Sequence, residues 1–182
     1  MINQEKKLIK PIKDQEEAVE KGEAKVSKVK TSRLAMGGDK EFDQRIIDLA
    51  RVTRVTAGGK RMRFRACVAL GDRKGRVGMG LAKGADVTIA VNKAATKARK
   101  NLITVPMREN TIPHEIREKF GAASILLKPA PIGTGIIAGG AMRIILELAG
   151  VKDVVGKILG SNNKINNVKA VLNSLKKFKK IN

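Results

Sequence analysis

Residues 60–70 read Lys60-Arg61-Met62-Arg63-Phe64-Arg65-Ala66-Cys67-Val68-Ala69-Leu70. Met62, Phe64, Ala66, Val68 and Leu70 fall on one side of an extended chain, and Arg61, Arg63 and Arg65 fall on the other. Alternation with a period of two is the pattern of a half-buried β-strand. On such a strand the arginines recur every ~6.6 Å, twice the rise per residue. That is close to the spacing of successive phosphates along a nucleic-acid strand. Charge of this kind also keeps an edge strand soluble. No acid is interleaved, however, and Arg51, Arg54 and the run Arg73-Lys74-Gly75-Arg76 lie close by in sequence. The cluster therefore favours a nucleic-acid partner.

Outward from this strand, residues 46–55 are predicted as a preceding strand, joined to it by the Ala57-Gly58-Gly59 turn. Gly71-Asp72-Arg73-Lys74-Gly75 closes a second hairpin. Residues 76–82 return as a short, glycine-rich strand. Asp86 is placed to cap a helix running to Asn101. Val87, Val91, Ala94, Ala95, Ala98 and Leu102 make its apolar stripe, and Lys93, Lys97 and Lys100 a separate basic stripe. Residues 102–105 form one more short strand, and Pro106 starts the connection onward.

The second half repeats a strand-then-helix rhythm. Strands are expected over 111–118, irregular at Pro113, and over 122–128. A glycine loop, Gly133-Thr134-Gly135-Ile136-Ile137-Ala138-Gly139-Gly140, leads into a helix over 141–149 that Gly150 ends. A strand over 154–159 and an amphipathic helix over 165–178 follow. Ile165, Val168, Val171, Leu172 and Leu175 form the inward stripe of that helix.

The chain has 182 residues, with 38 Lys plus Arg against 17 Asp plus Glu, a formal charge of +21. The length allows one domain or two small ones. The excess is +3 over residues 1–40, +10 over 41–105, +2 over 106–160 and +6 over 161–182. A field concentrated in one segment and one tail calls for an anionic partner, nucleic acid before membrane. Residues 1–40 are rich in Lys and Glu and poor in bulky apolar residues, so a disordered extension is expected there. There is no Trp or Tyr and only four Phe, which argues against a base-stacking platform. Cys67 and His114 are the only residues of their kinds, which excludes disulfide frameworks and Cys/His metal cages. No apolar stretch approaches the ~20 residues that span a bilayer, and the amino-terminal residues lack a secretory apolar core. The expectation is a cytoplasmic protein.

Gly133-x-Gly135-x-x-Ala138 meets a dinucleotide-binding pattern, and Asp153 lies twenty residues after Gly133. Pro129 and Pro131 nevertheless detach the glycines from the preceding strand. Gly139 and Gly140 delay the helix, and Asp153 precedes its strand where a ribose-binding acid would end one. A loop that admits a neighbouring chain is the better reading. Residues 150–157 have a superficial likeness to a phosphate loop. They have one residue too many between the glycines, and Ile158 stands where Ser or Thr must hold magnesium. His114 has no nucleophile or orienting acid in an identifiable motif, so packing or surface duty is expected of it. No catalytic constellation and no cofactor are expected.

The order of the Gly58-Gly59 turn, basic strand, Gly75-Arg76-Val77-Gly78-Met79-Gly80 and Lys/Ala-rich helix ending Lys97-Ala98-Arg99-Lys100-Asn101 resembles the bacterial small-subunit ribosomal protein five family. The string from Gly133 to Arg143 is similar to that family's most recognisable motif, and Gly160-Ser161 followed by Asn166-Asn167-Val168 fits its C-terminal part. The resemblance covers about residues 41–175. It implies an α+β protein of two small domains. Residues 41–105 would form a β-sheet backed by one helix, like a double-stranded-RNA-binding domain, and residues 106–182 a β-α-β-α domain.

It also implies a non-enzymatic constituent of the small subunit that binds ribosomal RNA, aids assembly and influences decoding accuracy near the messenger RNA entrance. Ribosomal proteins four and eight would be its neighbours, with no homo-oligomer. The Thr53–Gly59 turn matches the family loop near the spectinomycin site, with Thr53, Arg54 and Ala57 where other members often have Ser, Lys and Lys. The residues expected to meet RNA are Arg51, Arg54, Lys60, Arg61, Arg63, Arg65, Arg73, Lys74, Arg76, Lys83, Lys93, Lys97 and Lys100. Gly133, Thr134, Gly135 and Arg143 are expected at a protein boundary. Arg143 could meet an external anion or pair internally with Glu147 one helical turn on. The rivals are a free-standing double-stranded-RNA-binding regulator and a nucleotide-dependent enzyme using the glycine loop.

Overall fold

The computed structural model describes residues 42–178; the disorder expected of residues 1–40 lies outside them. Strand β1 (Asp43–Thr56), β2 (Gly59–Gly71) and β3 (Arg76–Gly84) are followed by helix α1 (Val87–Lys100) and β4 (Leu102–Thr104). They form an antiparallel sheet in the order β1-β2-β3-β4. Then come β5 (Ile116–Phe120), β6 (Ala123–Pro129), β7 (Ile136–Ile137), α2 (Gly140–Ala149), β8 (Val154–Ile158) and α3 (Lys164–Lys177). The second sheet has the order β5-β6-β8-β7, with only β7 and β8 parallel. The protein is thus α+β, with a four-stranded sheet in each half.

Helix α1 begins where expected because the Asp86 side chain accepts hydrogen bonds from the Val87 amide (2.7 Å) and the Thr88 hydroxyl (2.8 Å). Those bonds hold the exposed Asp86 carboxyl below its ordinary pKa. Lys97, Arg99 and Lys100 occupy its last turn, where cations suit the helix dipole. Ala90, Ala94 and Ala98 are fully buried against β3. The glycines of β3 are what lets them in. A methyl group on Gly80 would overlap the Ala94 carbonyl, and one on Gly78 would lie 2.7 Å from the Ala98 oxygen.

The half-buried reading of β2 needs correction at both ends. Toward the turn at Ala57-Gly58, Met62 is 52% exposed although it sits on the apolar side. The strand has run past β3 there, whose last partner is Gly84 opposite Phe64. Toward Gly71, Cys67 and Ala69 are buried although they share the arginine side. Helix α2 and the second half cover that face, while α1 covers the other.

One core results. Ile47, Cys67, Ala69 and Val77 from the first sheet cluster with Ile125, Leu127, Met142, Ile145, Leu146, Val154, Val168 and Leu175 from the second half. Backbone bonds reinforce the contact. The Arg73 amide donates to the Leu148 carbonyl (3.0 Å) and the Gly75 amide to that of Ala149 (2.9 Å). The β2–β3 turn thereby satisfies carbonyls that the C-terminus of α2 would leave open.

The strand expected over 111–118 begins only at Ile116. Thr111 instead bridges back to Arg108, and Pro113, which cannot donate to a ladder, separates the two. The two-residue β7 inside the glycine loop was not anticipated. It is too short to show a period, and its parallel pairing to β8 fixes it.

Candidate nucleic-acid interface

Beyond Phe64 the β1–β2 hairpin continues as a two-stranded ribbon, about 17 Å of strand from Phe64 to Gly59 at ~3.4 Å per residue. Arg51, Arg54, Lys60, Arg61 and Arg63 lie on it, all exposed. None is paired with a carboxylate among the described residues. Arg54 stands directly opposite Arg61 across the ladder. Directly opposed like charges destabilise a strand pair, so the free ribbon carries a repulsion that an anion placed between the two would relieve. Arg63 follows Arg61 on the same face, while Arg51, Thr53, Val55, Lys60 and Met62 share the opposite one. The ribbon is therefore cationic on both faces, with Val55 70% exposed among the charges.

Arg65 is the exception in the arginine row. It is half-buried and its guanidinium reaches Asp48 at 3.4 Å. Its Nε is buried without a hydrogen-bond partner. Sequence periodicity could not reveal this, because Asp48 lies on the neighbouring strand across a register shift in β1. Lys83 sits opposite Arg65 on β3 and is exposed. Lys93, Lys97 and Lys100 project from the outer surface of α1 as an exposed stripe.

Arg73, Lys74 and Arg76 do not join this group. They sit at the other end of β2, whose thirteen residues span roughly 40 Å. Arg73 pairs with Asp43 at 2.8 Å, and Arg76 pairs with Asp72 at 2.6 Å. The Arg76 guanidinium also lies 5.1 Å from the Phe42 ring centre. Of the three, Lys74 alone has an ammonium with no carboxylate beside it among the described residues.

The glycine loop has a different character. Its Gly133 and Gly135 amides both donate to Oδ1 of Asp153, at 3.1 and 2.9 Å. These two amides therefore turn inward onto a buried carboxylate rather than standing open to a neighbour. The same contact explains the twenty-residue spacing that imitates a dinucleotide motif. Arg143 takes the internal alternative, its Nε donating to Glu147 at 2.9 Å, and Arg45 of β1 reaches the same carboxylate at 3.0 Å. Ile137 of the loop and Ile132 just before it are exposed, while the Thr134 hydroxyl donates back to the Pro131 carbonyl at 2.9 Å. His114 packs edge-on against Phe178 with ring centres 5.2 Å apart.

Burial and the nearby Asp48 charge push the Cys67 thiol up to about 11, so it is an inert apolar group at neutral pH. Among the described residues no set of three His, Cys, Asp or Glu side chains converges to hold a metal. No helix there is long and apolar enough to cross a membrane.

Comparison with known proteins gives concordant results. Residues 42–106 match the family described as ribosomal protein S5, N-terminal domain, and residues 118–182 match ribosomal protein S5, C-terminal domain. The small ribosomal subunit protein uS5c of Emiliania huxleyi is 49% identical over 136 residues, which cover 74% of this chain and 86% of that protein. The protein of the same name from Spinacia oleracea is 50% identical over 147 residues, 80% of this chain and 46% of the relative.

Proposed function

The chain belongs to the ribosomal protein S5 family, and on that footing we propose that it binds small-subunit ribosomal RNA through the β1–β2 ribbon and the outer stripe of α1. As a member of that family it is a structural, non-enzymatic protein of the small ribosomal subunit. Its division of labour follows the charge. Residues 41–105 carry the RNA-binding surface, and residues 106–182 carry the glycine loop as a boundary with ribosomal protein four. Ribosomal protein eight is a second neighbour and messenger RNA passes nearby. In this position the protein contributes to subunit assembly and to decoding accuracy.

The observation that carries the reading is the opposed Arg54–Arg61 pair on a ribbon with no carboxylate of its own. Phosphates on either side of the ribbon would neutralise both faces. Such contacts position the protein without reading sequence, which agrees with the absence of a stacking surface. Arg73 and Arg76 are left out of the RNA surface, because Asp43 and Asp72 already neutralise them.

Hydroxyl-radical footprinting of small-subunit RNA tests the proposal. Wild type should protect a backbone tract that Arg54→Ala, Arg61→Ala and Arg63→Ala together expose, while Arg73→Ala leaves it protected. Protection that survives the triple change would refute it. A free-standing double-stranded-RNA regulator would bind any duplex equally and would not co-sediment with small subunits.

A further inference from the structure

The Thr134 hydroxyl closes the start of the glycine loop on the Pro131 carbonyl, and one side chain from outside the loop, Asp153, holds its first two glycines. Gly133 and Gly135 have φ of 92° and 74°, values that L side chains rarely adopt. Apart from the adjoining residues, no atom lies within 4 Å of where a methyl group on either would stand. Packing therefore does not dictate their conformation, and hydrogen bonds do.

Both glycine amides converge on Oδ1 of Asp153, a residue only 5% exposed. Asp153 is fixed in turn, since its own amide and that of Lys152 donate to the Asn110 carbonyl at 3.1 and 2.9 Å. The Val154 amide returns a bond to the Gly135 carbonyl at 3.1 Å, where β7 begins its parallel run beside β8. A buried carboxylate requires donors, and amide bonds to an ionised acceptor are about twice as strong as neutral ones. The outer surface of the loop, with Ile132 77% and Ile137 55% exposed, owes its shape to this inward contact.

We infer that Asp153 is the positioning residue of the protein boundary: it never touches the partner, but locks the glycine loop in the form the partner meets. The inference rests on the reading of that loop as the boundary with ribosomal protein four. It places a determinant of the boundary immediately before β8, twenty residues after Gly133.

The test uses the full chain with Asp153→Ala, Asp153→Asn and, as comparator, Gly135→Asp. In Asp153→Ala, hydrogen exchange at the Gly133 and Gly135 amides should accelerate about tenfold or more. The Val68 and Ala69 amides of β2 should keep their protection. Capture of purified small-subunit ribosomal protein four should weaken in parallel, while RNA affinity is kept. Asp153→Asn retains an acceptor oxygen and should recover much of both losses. If the alanine variant does not fold, the asparagine variant carries the test, with a smaller acceleration confined to the same two amides. Unchanged exchange at both glycines overturns the inference. So does faster exchange with normal capture in a system where Gly135→Asp abolishes capture. If Gly135→Asp also leaves capture intact, the boundary reading is what fails.

Discussion

Asp72 organises a whole turn with one carboxylate. Its Oδ1 accepts the Lys74 amide at 2.8 Å and the Arg76 amide at 2.9 Å, and its Oδ2 accepts the Arg76 guanidinium. Between them Arg73 adopts a φ of 56°, uncommon for a residue with a side chain. Desolvation pushes the Asp72 carboxyl up, but the Arg76 side-chain bond, the two amides and the Arg76 charge outweigh it, so its pKa lies below the ordinary 3.8. A depressed folded pKa adds stability above the unfolded value, and that stability is lost as pH falls through the folded one. Asp72→Asn should therefore lower the urea midpoint at neutral pH, and the gap to wild type should close below about pH 4. A gap that persists undiminished in strong acid would mean that the charge of Asp72 is not what matters. Arg65 makes the complementary point. Its ion pair with Asp48 means that Arg65→Ala should perturb stability more than RNA affinity, the reverse of Arg63→Ala, when both are measured on the same preparations.

At the scale of elements, the contact between β3 and α1 depends on glycine facing alanine. Gly80→Ala would force a methyl group into the Ala94 carbonyl, and overpacking of this kind costs about 1–3 kcal/mol. Thermal unfolding of Gly80→Ala should show a clear loss, whereas Gly58→Ala, with open space around it, should show little. A fully stable Gly80→Ala would mean that the helix can slide. This contact also marks what could be read in advance. The glycines of β3 and the alanines of α1 were both visible, and with the Asp86 cap they placed strand and helix nearly to the residue. Their direct apposition was not visible, because it joins positions across a turn. The same limit explains the other differences. Period-two alternation located β2, but only the third dimension reveals that β3 stops at Gly84 and that the second half covers Cys67. The cationic row was readable from residue types, while the ion pairs of Arg65 with Asp48 and of Arg73 with Asp43 required the neighbouring strand. The spacing between Gly133 and Asp153 was visible and its dinucleotide reading was set aside, but the loop-closing contact was not foreseen, since a contact that closes a loop and one that holds a ribose share the same separation.

Across the molecule, the two sheets share one core. Leu146 of α2 is fully buried in a cluster that includes Ile47 and Val77 of the first sheet. Leu146→Ala should destabilise by about 2–5 kcal/mol. Amides of β2 and β6 should lose protection together, as one cooperative unit. Protection lost in the second half alone would show that the halves unfold independently. The cationic ribbon lies outside this core, which allows its charges to be removed without unfolding the protein. The central claim is that ribbon arginines meet phosphate, and the salt dependence of RNA binding tests it most directly. For Arg61→Ala combined with Arg63→Ala, the slope of log affinity against log salt should fall by about 2, one per lost phosphate contact, with the thermal transition nearly unchanged. A double variant that keeps the wild-type slope would contradict the account.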